Sequence, residues 1–335
     1  MADRQEHALN RPGSDVTVMT YNLYLGADLT PVLLAESSTA FRSALRATLR
    51  RVAGTNFAAR AQALAREIAA VGPDIFGLQE VVVWECHAAG DLPFDRSGVN
   101  LDFLAVLLHT LESLGAHYKA VVVGPGVAFG TPPGEDVIAA FTNRNVILMR
   151  DMSESDTTSI SGSHAGTFAT NIVVPSPQLG VVTITRGWAY AMVQLHGVQF
   201  CFVTVHLEDS HVGVQEAQAE ELVQILREID GPLVLVGDFN ADAGSHPPTY
   251  TKLIAAGFRD GWEAAAPTTP GATCCQDEEL RNAVSKLGRR IDWIMVRNAI
   301  TVLDAFTAGN EEHSRTSEGL WPSDHAGVVA RLHIG

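Results

Sequence analysis

The stretch PLVLVGDFNAD, residues 232–242, sets a continuous apolar run against a cluster of polar side chains. Leu233 to Val236 read as a strand buried on both faces. Such a strand has to end in a turn, and one Asp or Asn is enough to make it through its own side-chain hydrogen bonds. Asp238, Asn240 and Asp242 together exceed that need, and the rest of the chain repeats the pattern.

Asn22 closes VTVMTYN, Glu80 closes IFGLQE and His206 closes FCFVTVH, while Asp292 interrupts RRIDWIMV and Asp324 and His325 precede AGVVARL. Each has an ordinary reading alone: Asn22 a turn residue, His206 a core histidine, Asp292 an ion pair with Arg289 or Arg290. Their shared position at strand ends predicts one sheet mouth that gathers them. Asp242 reads as the turn.

Strand candidates KAVVVG, RNVILMR, GWAYAMVQL, VQFCFVTVHL, PLVLVGD, RIDWIMV and GVVARLHI outnumber the helical patterns. Phe57, Ala61, Leu64, Ile68 and Val71 mark one helix, Leu104, Leu107, Leu108, Leu111 and Leu114 a second, and Leu222, Ile225, Leu226 and Ile229 a third. Many strands with few crossover helices predict an α/β chain of two mixed, mainly antiparallel sheets packed together, with helices outside. Residues 1–14 are expected to be a flexible tail and 15–335 one catalytic domain. Two segments, VVWECHAAGDLPFDRSG and DMSESDTTSISGSHAGTFATN, are expected to be irregular.

Composition narrows the function. The chain has 335 residues, 46% apolar and 18% charged, enough for a large globular core. Its formal charge of -15 disfavours avid binding to a nucleic-acid backbone, without excluding nuclease chemistry. Four cysteines are too few for a disulfide scaffold; Cys274 and Cys275 are neighbours and are expected to be reduced or paired elsewhere. No stretch is long enough to span a bilayer, so the chain reads as soluble, cytoplasmic or secreted after removal of a leader.

A hard cation such as Mg²⁺ takes oxygen ligands, usually one or two carboxylates with water and substrate phosphate oxygens, and Glu80 and Asp324 suit that need. There is no H-E-x-x-H pair and no cysteine pair at zinc spacing. A histidine beside a carboxylate can take a proton from water near neutral pH, and amides or a second histidine can stabilise phosphoryl oxygens. Hydrolysis by water is expected to be direct, since no activated Ser or Cys accompanies the histidines.

The ordered set TYN, LQE, TVHLED, GDFN, IDWI and SDH, spanning about Val16 to Leu332, resembles the endonuclease/exonuclease/phosphatase superfamily. The opening YNLYLGADL and the close WPSDHAGVVA look nearest to bacterial sphingomyelinase-like, phospholipase C-like and phosphodiesterase members. The resemblance implies a four-layer α/β/β/α sandwich and Mg²⁺-dependent hydrolysis of phosphoesters, with Mn²⁺ or Ca²⁺ as other possible ions. By position it implies Glu80, Asn22 and Asp324 at the metal and His325 as base or phosphate-contacting imidazole, oriented by Asp292. Asp238 positions or activates water, Asn240 donates to the phosphoryl oxygens, and His206 is the second histidine at the phosphate.

Asn145 stands where relatives often carry an acidic residue, and Arg144 beside it is either a phosphate clamp or a sheet-edge ion pair. Arg186 has the same two readings. Trp84, Leu92, Pro93 and Phe94 either meet an apolar leaving group or cap the core. The expected substrate is a lipid or small organic phosphodiester. Nuclease action on DNA or RNA, phosphomonoesterase activity and a catalytically silent binding module are the alternatives, and the oligomeric state is open.

Overall fold

The computed structural model describes residues 13–88, 99–132, 137–151, 158–265 and 268–335. Strand β1 (Ser14–Asn22) is followed by helices α1 (Thr30–Leu33), α2 (Ser38–Gly54) and α3 (Phe57–Val71), then by β2 (Ile75–Gln79), β3 (Val83–Ala88) and β4 (Val99–Asp102). Helix α4 (Phe103–Ser113) leads into the long strands β5 (Tyr118–Gly130) and β6 (Val137–Arg150). Next come β7 (Ser159–Thr167), β8 (Ile172–Ser176), β9 (Gly180–Ile184), β10 (Gly187–Leu195), β11 (Val198–His206), α5 (Val212–Arg227) and β12 (Leu233–Asp238). The chain closes with α6 (Pro248–Ala255), β13 (Arg259–Asp260), α7 (Gly261–Ala265), β14 (Asp292–Arg297), β15 (Ile300–Ala308) and β16 (Gly327–Ile334).

One sheet runs β15-β16-β1-β2-β6. Since β5 lies along one edge of β6, β2 and β3 share the other, with β4 outside β3. The second sheet runs β13-β14-β12-β11-β10-β7, and β8 and β9 form a separate hairpin. Each large sheet has one parallel pair, β1 with β2 and β11 with β12, among antiparallel neighbours.

The two-residue period of β1 shows how the layers arise. Val16 and Val18 enter the core between the sheets, which also takes Ile75 and Ile147 from the first sheet and Phe202, Val234 and Ile294 from the second. Met19 and Tyr21 face the opposite way, toward Phe41, Leu64, Ile68 and Leu107 of the helices. On the far side, Val203, Leu235 and Met295 pack on Leu222, Leu226 and Leu253. The order is therefore helix, sheet, sheet, helix. At Gly77 the sheets approach so closely that a Cβ would stand 2.8 Å from Val236.

Two segments depart from expectation. Strand β3 begins within VVWECHAAGDLPFDRSG, and β7 occupies part of DMSESDTTSISGSHAGTFATN. β7 is an edge strand with hardly any buried residue, so it carries no apolar stripe to betray it. Ser14, assigned above to the tail, already pairs with Ile334; residues 1–12 of that tail lie outside the described residues.

Candidate active site

Parallel strands bring their carboxyl ends to one edge, and here both parallel pairs end at the same rim. Asn22 lies beside Gln79 in one sheet, and His206 beside Asp238 in the other. β14 starts at this rim with Asp292 opposite Asp238. The joint between the sheets is direct: Asn22 Nδ2 donates to Asp238 Oδ2 at 3.0 Å. Ser323 Oγ donates to the Asn22 carbonyl at 2.7 Å, which docks the segment carrying Asp324 and His325 against the end of β1.

The rim is bent rather than extended. Tyr24, Glu80 and Asn240 all have positive φ, near 58°, 55° and 52°, an uncommon and mildly strained conformation for side chains of this kind. The strain turns the Glu80 carboxylate back so that Oε2 accepts the Leu25 N–H at 2.6 Å. Before Asp238, Gly237 has φ of 147° and a Cβ there would overlap the Val205 carbonyl, so only glycine lets β12 lie against β11 at this point.

Asp238, Asp292 and His325 form the buried centre, with ligand atoms within 4.8 Å of one another. His325 Nδ1 lies 2.8 Å from Asp292 Oδ2, and its Nε2 is 3.8 Å from Asp238 and 3.9 Å from Asp324. Burial by itself would lower the His325 pKa, but Asp292, Asp324 and Asp238 outweigh it and raise it well above the ordinary histidine value. Burial, followed by the charge of Asp292, pushes Asp238 up to about 7. Asp238 Oδ1 also accepts the backbone N–H of Asn240 at 2.9 Å.

His206 is different. Arg186 Nη1 is 2.9 Å from its Nε2, and burial, then Arg186 and His325, holds its pKa well below the usual value. A neutral ring whose Nε2 accepts from a guanidinium makes no ion pair with Asp238, although the two approach to 3.6 Å. Arg186 is itself bound to Asp209 at 2.8 Å and Glu208 at 3.4 Å, so it serves as a bracket for the rim. Asn240 Nδ2 donates to the Leu207 carbonyl at 3.0 Å, leaving one amide hydrogen for another acceptor.

Glu80 and Asp324 are half-buried. Burial raises both pKa values, and Asp324 raises that of Glu80 further, the mark of carboxylates in one electrostatic space. Such a pair is a hard-oxygen donor set suited to a divalent cation, while the Asn22 amide oxygen accepts the Tyr24 N–H at 2.9 Å. Asp292 Oδ1 is also buried with no hydrogen-bond partner, so the centre has spare anionic capacity.

A model of the Endonuclease/Exonuclease/phosphatase family matches residues 19–325. The chain belongs to this family. Its members are phosphoester hydrolases, generally dependent on divalent metal, and the acidic and histidine cluster above is one that can hold such an ion. Among solved structures, a family protein from Bacteroides thetaiotaomicron is 19% identical with a TM-score of 0.58, the match covering 97% of this chain and 100% of that one. A mannosyl-6-phosphatase from the same organism is 20% identical with a TM-score of 0.55, covering 95% and 99%. A humanized D. rerio TDP2 is 16% identical with a TM-score of 0.56, covering 95% and 98%. At these identities the likeness is one of fold. A comparison with curated proteins finds no match.

Within this family fold the residues expected at the mouth, Asn22, Glu80, His206, Asp238, Asn240, Asp292, Asp324 and His325, do stand at one rim. The three expected at the substrate do not present free groups to it. Arg144 pairs with Asp102 and donates to the Val81 carbonyl at 2.9 Å, the sheet-edge reading. Asn145 is buried and donates to the Gly187 carbonyl at 3.0 Å. Trp84 is 3% exposed, packs on Phe141 and donates to the Leu25 carbonyl at 3.0 Å, so it caps the core. Leu92, Pro93 and Phe94 lie outside the described residues. Asp242 accepts the Gly244 N–H at 3.2 Å, as a turn residue does.

The largest omission of the sequence reading is Arg60. Its fully buried guanidinium donates to the carbonyls of Thr55, Leu23, Tyr24 and Pro322 at 2.7 to 3.1 Å. It thereby ties the segment after Asn22 to the one before Ser323. In sequence it is one arginine on an amphipathic helix, and only its place on the apolar face, between Phe57 and Leu64, hints at burial.

Proposed function

We propose that the protein is a Mg²⁺-dependent phosphodiesterase acting on a small organic phosphodiester by direct attack of water. The observation that carries this reading is the Asp292–His325–Asp238 chain at a rim shared with Glu80, Asn22 and Asp324. Asp292 holds the His325 ring by Nδ1, so Nε2 faces the mouth; Asp238, fixed by Asn22 and the Asn240 N–H, is aimed at the same place. Asp238, raised to about 7, is the better candidate to take the proton of an attacking water, while His325, kept protonated by its carboxylate neighbours, suits the phosphate-contacting role beside the remaining amide hydrogen of Asn240. A cation held by Glu80 and Asp324, with Asn22 beside them, would supply charge neutralisation at the phosphate.

A diester is favoured over a monoester on electrostatic grounds. The mouth is rich in carboxylates, which outnumber His325, and Arg186 beside it is already bound by Glu208 and Asp209. A singly charged diester meets less repulsion there than a dianionic monoester. With Trp84 in the core, nothing in the described residues favours a lipid over a small soluble ester. The neighbouring mannosyl-6-phosphatase and TDP2 make a sugar phosphate or a larger phosphodiester reasonable members of a test panel.

The decisive assay compares a bis-aryl phosphodiester, an aryl phosphomonoester, a sugar phosphate, sphingomyelin and plasmid DNA, each with Mg²⁺, Mn²⁺, Ca²⁺ or chelator. The expected result is metal-dependent turnover of the diester, lost by orders of magnitude in His325→Ala and Asp238→Asn. Full activity after exhaustive chelation, or preference for the monoester, overturns the reading.

A further inference from the structure

Cys274 and Cys275 play no part in the chemistry proposed above, yet they are built into its scaffold. Cys274 forms an isolated β-bridge with His325. On either side, Ala326 N donates to the Thr273 carbonyl and Gln276 N to the Asp324 carbonyl, both at 2.8 Å. Thr273 Oγ1 also accepts the backbone N–H of Asp292 at 3.1 Å. The segment 273–276 therefore holds the backbone of Asp324, His325 and Asp292.

The two sulfurs are bonded to each other, where the sequence reading expected them to be reduced or paired elsewhere. Their position matters more than their bond. One ligand atom from each of Cys274, Cys275 and His325 lies within 4.8 Å of the others. Tetrahedral zinc with sulfur at about 2.3 Å takes ligand atoms about 3.8 Å apart, so the bonded sulfurs must part on reduction, within the span of this cluster. Cys274 and His325 are buried and Cys275 half-buried, so a bound ion is shielded on one side and has an entry on the other. Arg289 Nη2 stands 3.5 Å from the Cys274 sulfur, where a positive charge favours the anionic, metal-binding form.

We propose that Cys274, Cys275 and His325 form, once the pair is reduced, an inhibitory site for a soft divalent cation such as zinc or cadmium. Two molecules of a thiol reductant become one disulfide, and the Cys274–Cys275 bond becomes two thiols. Binding of the cation then releases both thiol protons and the proton on the ligating imidazole nitrogen, and leaves two thiolates and one neutral imidazole as ligands. The hard-oxygen set of Glu80 and Asp324 and this thiolate set select different ions, so excess Mg²⁺ does not compete for it. An imidazole committed to the soft ion is withdrawn from the phosphoester chemistry. That consequence, though not the binding itself, rests on the function proposed above.

The test is titration of the full, reduced protein with Cd²⁺ in excess Mg²⁺, followed by thiolate-to-cadmium charge-transfer absorption in the ultraviolet, which carboxylate ligation does not produce. The expected result is a band saturating at one equivalent, absent from the oxidised protein and at least halved in Cys275→Ser. His325→Asn keeps the band and weakens binding about tenfold. Cys274→Ala serves as the second thiol variant, with circular dichroism to establish that each variant is folded. No band in reduced protein, or an undiminished band in a folded thiol variant, overturns the proposal.

A parallel assay follows hydrolysis of the bis-aryl phosphodiester, in which one equivalent of Cd²⁺ suppresses wild type at least tenfold and spares Cys275→Ser. Suppression that is equal in both removes the inhibitory link. Absence of any hydrolysis refutes the phosphodiesterase reading while the absorption band still decides the metal site.

Discussion

Replacing Arg60 by Met keeps the length and much of the volume of the side chain but deletes the charge and all of its donors. Four main-chain carbonyls, those of Thr55, Leu23, Tyr24 and Pro322, lose their guanidinium partner. Hydrogen bonds to a charged group contribute about 1.5–3 kcal/mol each, so simple addition gives about 6–12 kcal/mol. Addition overshoots, because the four share one group and because burying that group is itself costly: burial lowers the Arg60 pKa to about 10. A loss of about 3–5 kcal/mol is therefore expected, the range for removing one partner of a buried charged cluster. Urea unfolding at fixed Mg²⁺, with the slope held in common, measures it. Arg60→Lys restores the charge without the planar fork and should fall between. Because Arg60 ties together the flanks of Asn22 and Ser323, folded Arg60→Met should also lose about tenfold or more in kcat. Stability within about 1 kcal/mol of wild type would refute the reasoning.

Gly237→Ala should cost about 3 kcal/mol or more by denaturant unfolding, since the new Cβ meets the Val205 carbonyl at a backbone angle that favours glycine; a neutral effect would mean that β11 and β12 can part there. In chelator, the folded protein keeps a proton on Asp238 up to about 7, whereas the unfolded chain releases it near about 3.9. The folded state thus binds more protons across that window, and unfolding free energy should fall as pH rises through it; His206, held low, offsets part of this below about 6.5, the raised His325 carries the decline further upward, and greater stability at pH 8 than at pH 6.5 would contradict this. Trp84→Phe should lose about 1–2 kcal/mol with its bond to the Leu25 carbonyl and leave KM for the diester within about twofold; a large rise in KM would return Trp84 to the substrate.

Much of the rim was legible because strand-end polar residues contrast with the apolar runs that carry them. Asp238 after LVLVG and Asn22 after VTVMTY are conspicuous for that reason. Their partners were not. That Asn22 bonds to Asp238 across 216 positions is a property of how two sheets pack, and no local pattern encodes it. Arg60 and Arg186 show the complementary failure. Each is a single cation whose meaning lies in the carbonyls or carboxylates that surround it after folding. The edge strand β7 was missed because propensity reasoning weighs apolar alternation, and an edge facing water has little.

The placement of β16 between β15 and β1 has a consequence for the order in which the molecule can form. β1 leaves the ribosome before the other described strands, but its neighbour on that side leaves after them. Until then its N–H and C=O groups on that edge are open to any other extended chain. Asp324 and His325, which immediately precede β16, arrive with it, so the last step of strand pairing and the completion of the rim are one event. A nascent chain of this protein is thus an aggregation hazard with an incomplete rim, and stalled or truncated products should need chaperones in proportion to how little of β16 they contain.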